Sequence, residues 1–244
     1  MDNSQFARPW AGRFSNIFVN NRYVIGDVHG CSKTLRIMVE DVIRLGSDDT
    51  LFMLGDYIDR GPDSKGVLDY LTHLILEKDY DVRPLRGNHE QMCLDAVSEP
   101  AARDLWYGNW GLQTVRQFGV NGPEEIPKRY LDFMAAMPLI RTTMEHDYVF
   151  VHAGLDFRAA DPIWDTSPQF MLWERDFRIQ PEKLKGHTLV CGHTMTPLFE
   201  IRASLDKPVI CLDNGCYDKG HIGFGNLVAL NLDTRELLVV ENCE

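Results

Sequence analysis

The feature that most constrains this chain is a unit used three times before residue 91: a short apolar run, an abrupt Gly-Asp or Gly-Asn, then helical spacing. Tyr23-Val24-Ile25 stops at Gly26-Asp27, Thr50 to Leu54 stops at Gly55-Asp56, and Val82 to Leu85 leads through Arg86 to Gly87-Asn88-His89-Glu90. Short β-branched and aromatic runs bounded by glycine read as buried strands. After the first run, Leu35, Met38, Val39, Val42 and Ile43 fall at helical spacing, and Gly46 is placed to close that helix. After the second, Asp63 or Ser64 can cap a helix through Leu76. Repeated strand-loop-helix units build an open α/β sheet, whose sites form beyond the C-terminal ends of its strands.

Strand signals return at Tyr148 to Val151, Thr188 to Cys191, Val209 to Leu212, Leu227 to Leu232 and Leu237 to Val240. Two of these runs end in histidine-bearing turns, His152-Ala153-Gly154 and Gly192-His193-Thr194, and the last two read as a hairpin across Asp233-Thr234-Arg235. Between the halves, residues 91–141 read as mostly helical, with an aromatic stripe that includes Trp106, Trp110 and Tyr130. Such a stripe is expected in the core, with its exposed remainder shaping a substrate mouth. No internal linker separates domains, so the expectation is one domain over 1–244, with 1–21 as an N-terminal extension.

Composition narrows the partners. With 25 Lys and Arg against 36 Asp and Glu, the formal charge of −11 disfavours a nucleic-acid duplex. No apolar run is long enough to span a bilayer and residues 1–18 lack a signal-peptide layout, so the expected setting is cytoplasmic, without a membrane partner. The six cysteines include no C-x-x-C pair and read as reduced thiols.

Asp27, His29, Asp56, Asn88, His152 and His193 are oxygen or nitrogen donors at expected strand ends. A mixed carboxylate, amide and imidazole set suits divalent Mn²⁺, Fe²⁺ or Zn²⁺ better than thiolate-seeking metals, and there are enough donors for two ions. In order, Gly26-Asp27-Val28-His29-Gly30, Gly55-Asp56-Tyr57-Ile58-Asp59-Arg60-Gly61, Gly87-Asn88-His89-Glu90, His152-Ala153-Gly154 and Gly192-His193 resemble the calcineurin-like metallophosphoesterases. The Asp-Arg-Gly ending and Gly-Asn-His-Glu narrow the resemblance to the phosphoprotein phosphatases, the serine/threonine phosphatase family, in their short bacterial and phage form.

The resemblance implies a four-layer α/β/β/α sandwich, two mixed sheets flanked by helices, with a two-metal centre at the sheet edge. It assigns Asp27, His29 and Asp56 to one ion and Asp56, Asn88, His152 and His193 to the other, Mn²⁺ being the expected metal. It implies direct attack on phosphorus by a metal-bridging hydroxide, with His89 protonating the leaving oxygen and Asp59 orienting His89. Arg60 and Arg175 would clamp the phosphate together with Asn88, since guanidinium groups match phosphoryl oxygens. Glu90 is read as a first-turn carboxylate near a helix N-terminus.

The substrates so implied are phosphoserine or phosphothreonine, with phosphotyrosine as an extension, in phosphoproteins or phosphopeptides, alongside small phosphate esters. A dinucleoside polyphosphate hydrolase, acting on diadenosine tetraphosphate, is the alternative on the same scaffold, and an inactive binding scaffold is the alternative of another class. One departure stands out: the bacterial relatives' Asn-Gly-Gly turn is here Asn109-Trp110-Gly111.

Overall fold

The computed structural model of the chain describes residues 20–145 and 147–244; most of the expected N-terminal extension lies outside them. The chain runs β1 (Arg22–Ile25), α1 (Ser32–Arg36), β2 (Thr50–Met53), α2 (Ser64–Leu76), β3 (Asp81–Pro84) and α3 (Asn88–Ser98). Short helices α4 (Arg103–Gly108), α5 (Gly111–Phe118) and α6 (Lys128–Ala136) follow, then β4 (Ile140–Thr142) and β5 (Tyr148–Val151). The remainder is α7 (Pro162–Asp165), α8 (Pro168–Trp173), β6 (Thr188–Cys191), α9 (Leu198–Ser204), β7 (Val209–Cys211), β8 (Asn226–Asn231) and β9 (Leu237–Glu241).

The strands form two mixed sheets, one ordered β3-β2-β1-β8-β9 and the other β4-β5-β6-β7. Strands β1, β2 and β3 are mutually parallel, as are β5, β6 and β7, while β8 and β9 form the expected antiparallel hairpin against β1. Alternation along each strand sends side chains to two faces. Val24, Phe52 and Leu54 of one sheet meet Phe150, Val190 and Ile210 of the other, with Phe52 stacked on Phe150 at 4.3 Å between ring centroids. Ile25, Leu51 and Met53 face the helices on one outer side, whereas Val149, Val151 and Leu189 face Ile163 and Met171 of α7 and α8 on the other. This is the expected α/β/β/α layering, and it brings the C-terminal ends of six parallel strands to a common edge.

Local chemistry explains where the expected boundaries hold and where they move. Asp63 caps α2, its side chain accepting from the Gly66 N–H, as its position before a helical run suggested. The first helix departs from the reading: α1 passes into a π-helical stretch, Ile37–Ile43, and ends on Arg44 in the left-handed region (φ 57°) rather than at Gly46. The wider i→i+5 turn shifts the helical phase, which leaves Val42 exposed although 3.6-residue spacing would bury it. The 91–141 section is correspondingly interrupted: besides four helices it contains β4, a half-buried edge strand pairing antiparallel with β5. All six cysteines are free thiols, as expected, with Cys31, Cys93, Cys191 and Cys216 buried. Among the described residues no helix is long and apolar enough to cross a membrane.

Candidate metal centre

The chain turns sharply where it leaves β1, β2 and β6, and those turns carry much of the site. His29, Asp56, Asp59, Arg60 and His193 all have φ between 46° and 70°. A non-glycine residue costs about 1–3 kcal/mol in such a conformation, and that strain characteristically gathers where function fixes the geometry. Two glycines make the convergence possible. A Cβ on Gly87 would lie 2.2 Å from Asp56 Oδ1, and one on Gly192 would lie 2.0 Å from Asp27 Oδ1.

The six donors expected from sequence are buried at this edge, none more than 5% exposed. Asp56 is central, with His29 Nε2 3.4 Å from its Oδ2 and His152 Nε2 3.4 Å from its Oδ1. Asn88 Oδ1 lies 2.9 Å from His152 Nε2 and 3.0 Å from His193 Nδ1, while the His193 backbone N–H donates to Asp27 Oδ2. His29, Asp56 and His89 offer ligand atoms within 4.8 Å of one another, as do Asp56, His152 and His193. The sequence reading had placed Asp27 rather than His89 in the first of these groups.

Protonation tests whether these residues fit metal ions. His152 Nδ1 lies 2.8 Å from the Leu54 carbonyl, which can only accept, so one ring proton sits there, while Nε2 faces acceptors on Asn88 and Asp56; burial works against a charged ring, but the Asp56 charge and hydrogen bond outweigh it and raise the His152 pKa. The Ile58 carbonyl likewise fixes His29 Nδ1 as the donor at 2.9 Å, and the His29 Nε2 lone pair meets the Arg60 guanidinium at 2.9 Å. The oxygens of Asn88 and Asp56 thus gather positive charge at this edge, and the buried Asp27 Oδ1, which has no hydrogen-bond partner among the described residues, calls for a proton or a cation. Divalent metal ions fit this donor set.

The same demand shows in the acidities. Burial, then the charges of Asp213 and Asp56, raise the Asp27 carboxyl well above the usual range. Burial acts on Asp56 in the same sense, but the imidazoles of His152, His89 and His29 outweigh it and hold Asp56 well below that range. Burial and neighbouring His152 push His193 down to about 3.

His89 stands apart through its partner. Its Nδ1–H donates to Asp59 Oδ2 at 2.7 Å, leaving Nε2 3.9 Å from Asp56 Oδ2. Asp59 is wholly buried and also accepts from Trp106 Nε1 at 2.9 Å and from the Thr114 hydroxyl at 2.5 Å. Trp106 had been read only as core; its single N–H, which must find a partner when buried, was the available clue. Glu90 does more than its first-turn position suggested. Its carboxylate accepts from the backbone N–H groups of Asp56, Tyr57 and Gly87, tying the second strand-end loop to the third.

The two expected arginines lie on different sides. Arg60 Nη1 reaches His29 and the Tyr217 hydroxyl, with its guanidinium 4.8 Å from the Tyr217 ring centroid, while Arg175 Nη1 donates to the His193 carbonyl at 3.2 Å. Tyr217 and Asp213 escaped the sequence reading, because Leu212-Asp213-Asn214-Gly215-Cys216-Tyr217 resembles an ordinary turn. The structure buries Asp213 completely. Trp110 occupies a left-handed position (φ 76°) at the start of α5, a conformation that favours glycine, and is 59% exposed.

Residues 22–217 match the family model for calcineurin-like phosphoesterases. The chain belongs to the calcineurin-like phosphoesterase family. The motif forms of this metallophosphoesterase fit the phosphoprotein phosphatase branch, and members of the family bind divalent metals. It is 39% identical over 89 residues to serine/threonine-protein phosphatase 1 of Salmonella typhimurium, covering 36% of this chain and 38% of that protein. It is 29% identical over 145 residues to the symmetrical bis(5'-nucleosyl)-tetraphosphatase of Proteus mirabilis, covering 59% of this chain and 46% of the relative. The metallophosphoesterase thus matches less than half the length of either of these two relatives. A crystal structure of a candidate diadenosine tetraphosphatase superimposes with a TM-score of 0.66 at 21% identity, covering 92% of this chain and 94% of that one, a likeness of fold.

Proposed function

We propose that the chain is a two-metal phosphomonoesterase acting on phosphoserine and phosphothreonine in proteins or peptides, with small phosphate esters as accessory substrates. The observation that carries this reading is the buried His89–Asp59 pair, braced by Trp106 and Thr114 beside the donor cluster. Phosphoserine has a poor alkoxide leaving group, so its hydrolysis gains most from a positioned acid.

In this reading Asp27, His29 and Asp56 hold one divalent ion, and Asp56, Asn88, His152 and His193 the other. The donor types favour Mn²⁺, with Fe²⁺ or Zn²⁺ as alternatives. When bound, such ions act as Lewis acids toward phosphate and make water a stronger nucleophile. Asp59 keeps the His89 proton on Nδ1 and stabilises the charged ring, so that a proton on Nε2 is available to the departing serine or threonine oxygen. Arg60 and Arg175 donate to non-bridging phosphoryl oxygens from opposite sides, and the Asn88 side chain assists. No side-chain nucleophile takes part. The α4 and α5 helices, which supply Trp106 and Thr114 to Asp59, form the neighbouring wall of the substrate mouth.

A second reading, hydrolysis of dinucleoside polyphosphates, draws support from the longer alignment to the Proteus mirabilis tetraphosphatase. The same groups would then serve a nucleotide leaving group. Parallel assays on a phosphoserine peptide and diadenosine tetraphosphate at one Mn²⁺ concentration separate the two, with Asn88→Ala as the site control. Higher kcat/KM on the peptide is expected. A large preference for the dinucleotide would replace the first reading with the second.

A further inference from the structure

Six parallel strands end at the site edge, and the six candidate ligands come from five of them: Asp27 and His29 after β1, Asp56 after β2, Asn88 after β3, His152 after β5 and His193 after β6. The sixth is β7, which leads into Asp213. The ends of β7 and β1 touch, since a Cβ on Gly26 would lie 2.5 Å from the Leu212 carbonyl oxygen. This contact brings Asp213 beside Asp27. Both carboxylates are buried, at 0% and 2% exposure, and each uses one oxygen on a backbone N–H: Asp213 Oδ1 accepts from Gly215 at 2.7 Å and Asp27 Oδ2 from His193 at 3.0 Å. The other oxygen of each has no hydrogen-bond partner among the described residues.

Two buried carboxylates with unpartnered oxygens, brought to one strand edge by the contact of Gly26 with Leu212, repel one another unless a proton or a cation intervenes. Arg60 directs its hydrogen bonds to His29 and Tyr217 instead. We infer that Asp213 is a positioning and charge-balancing residue for the divalent ion proposed to lie among Asp27, His29 and Asp56, drawing a hard cation to that side of the centre. This inference rests on the two-metal reading above. Outer carboxylates of this kind typically change metal affinity by about 10–100-fold when altered.

The substitution Asp213→Asn separates this role from turn formation, because the amide oxygen still accepts from the Gly215 N–H while the charge is lost. Mn²⁺ binding to the full chain is measured by calorimetry after chelator treatment, with chelated stability measured by urea unfolding. The parent is expected to bind two ions. The variant should bind one of them about 10-fold or more weakly, leave the other little changed, and be at least as stable as the parent without metal, because a buried repulsion has gone. Unchanged affinities, or a loss of metal-free stability alongside affinity, would make Asp213 a turn residue and overturn the inference. Weaker inhibition by inorganic phosphate with intact Mn²⁺ binding would instead make it a counter-charge for Arg60. A parent that binds fewer than two ions overturns the two-metal reading itself, which is seen without reference to the variant.

Discussion

Replacing Asp59 by Asn isolates the chemistry attributed to the His89–Asp59 pair. The carboxylate takes three hydrogen bonds: His89 and Trp106 on Oδ2, and Thr114 on Oδ1. An asparagine can keep its oxygen toward His89 and Trp106 and turn its amide toward Thr114, whose hydroxyl can accept while donating to Ser64 Oγ 3.0 Å away. The fold therefore loses little. Burial already raises the Asp59 carboxyl above its ordinary range, despite its three donors, so removing the charge also relieves a desolvation cost. Stability should stay within about 1 kcal/mol of the parent. What disappears is the negative charge that supports a protonated His89. Positioned general acids contribute roughly 10²–10⁴-fold, equivalent to about 3–5 kcal/mol of barrier. Hydrolysis of a phosphoserine peptide should fall by about that factor, whereas p-nitrophenyl phosphate, whose leaving group departs without protonation, should lose roughly tenfold or less. Steady-state kcat for both substrates at one Mn²⁺ concentration, with urea unfolding alongside, measures the contrast. Equal losses on the two substrates would refute the assignment of His89 as the leaving-group acid.

Other consequences follow from packing and charge. Phe52→Ala removes half of the Phe52–Phe150 stack between the sheets and should cost about 3–5 kcal/mol in urea unfolding. Trp110→Gly trades a left-handed tryptophan, strained by about 1–3 kcal/mol, for a glycine that loses about 0.5–1 kcal/mol in chain entropy. Because Trp110 is largely exposed, the net expectation is a gain of about 1 kcal/mol, read as a higher Tm. Arg22 pairs with Asp147 and Asp233; burial raises the Asp147 carboxyl, but the hydrogen bonds from Arg22 and Thr143 and the Arg22 charge outweigh it and hold that carboxyl below its ordinary value. A depressed carboxyl contributes stability above its unfolded pKa and loses it as pH falls through the folded one, so the stability advantage of the parent over Arg22→Ala should hold above about pH 5 and shrink from there toward about pH 2. Urea midpoints across that range test it.

The ends of β1, β2, β3 and β6 were legible because their apolar runs are cut by glycine and followed by a metal-ligand type, a local pattern that needs no knowledge of distant contacts. Asp56, Asn88 and His193 were found in this way. Asp213 was not, since Asp-Asn-Gly after a strand is also the composition of a plain turn, and only the approach of β7 to β1 makes it part of the site. Trp106 was visible as a buried aromatic but not as a hydrogen-bond donor to Asp59, because 47 residues separate them. Strand β4 has three half-buried residues and no alternation to read, and its existence depends on pairing with β5. The π-helical stretch was hidden for the opposite reason, as its apolar residues imitate a regular helix until the hydrogen bonds are known.

In the proposed function this edge holds two divalent ions and, through His89, cleaves phosphomonoesters. The most direct test follows phosphate release from a phosphoserine peptide as the chelator-treated chain is titrated with Mn²⁺, with bound metal counted in the same samples and His89→Asn run in parallel. Two-metal chemistry with His89 as the acid should give no turnover without metal, activity that rises as the second ion per chain binds, and a His89→Asn variant that binds both ions yet turns over at least about 100-fold more slowly. Peptide hydrolysis in the chelated chain, or full activity in His89→Asn, would contradict it.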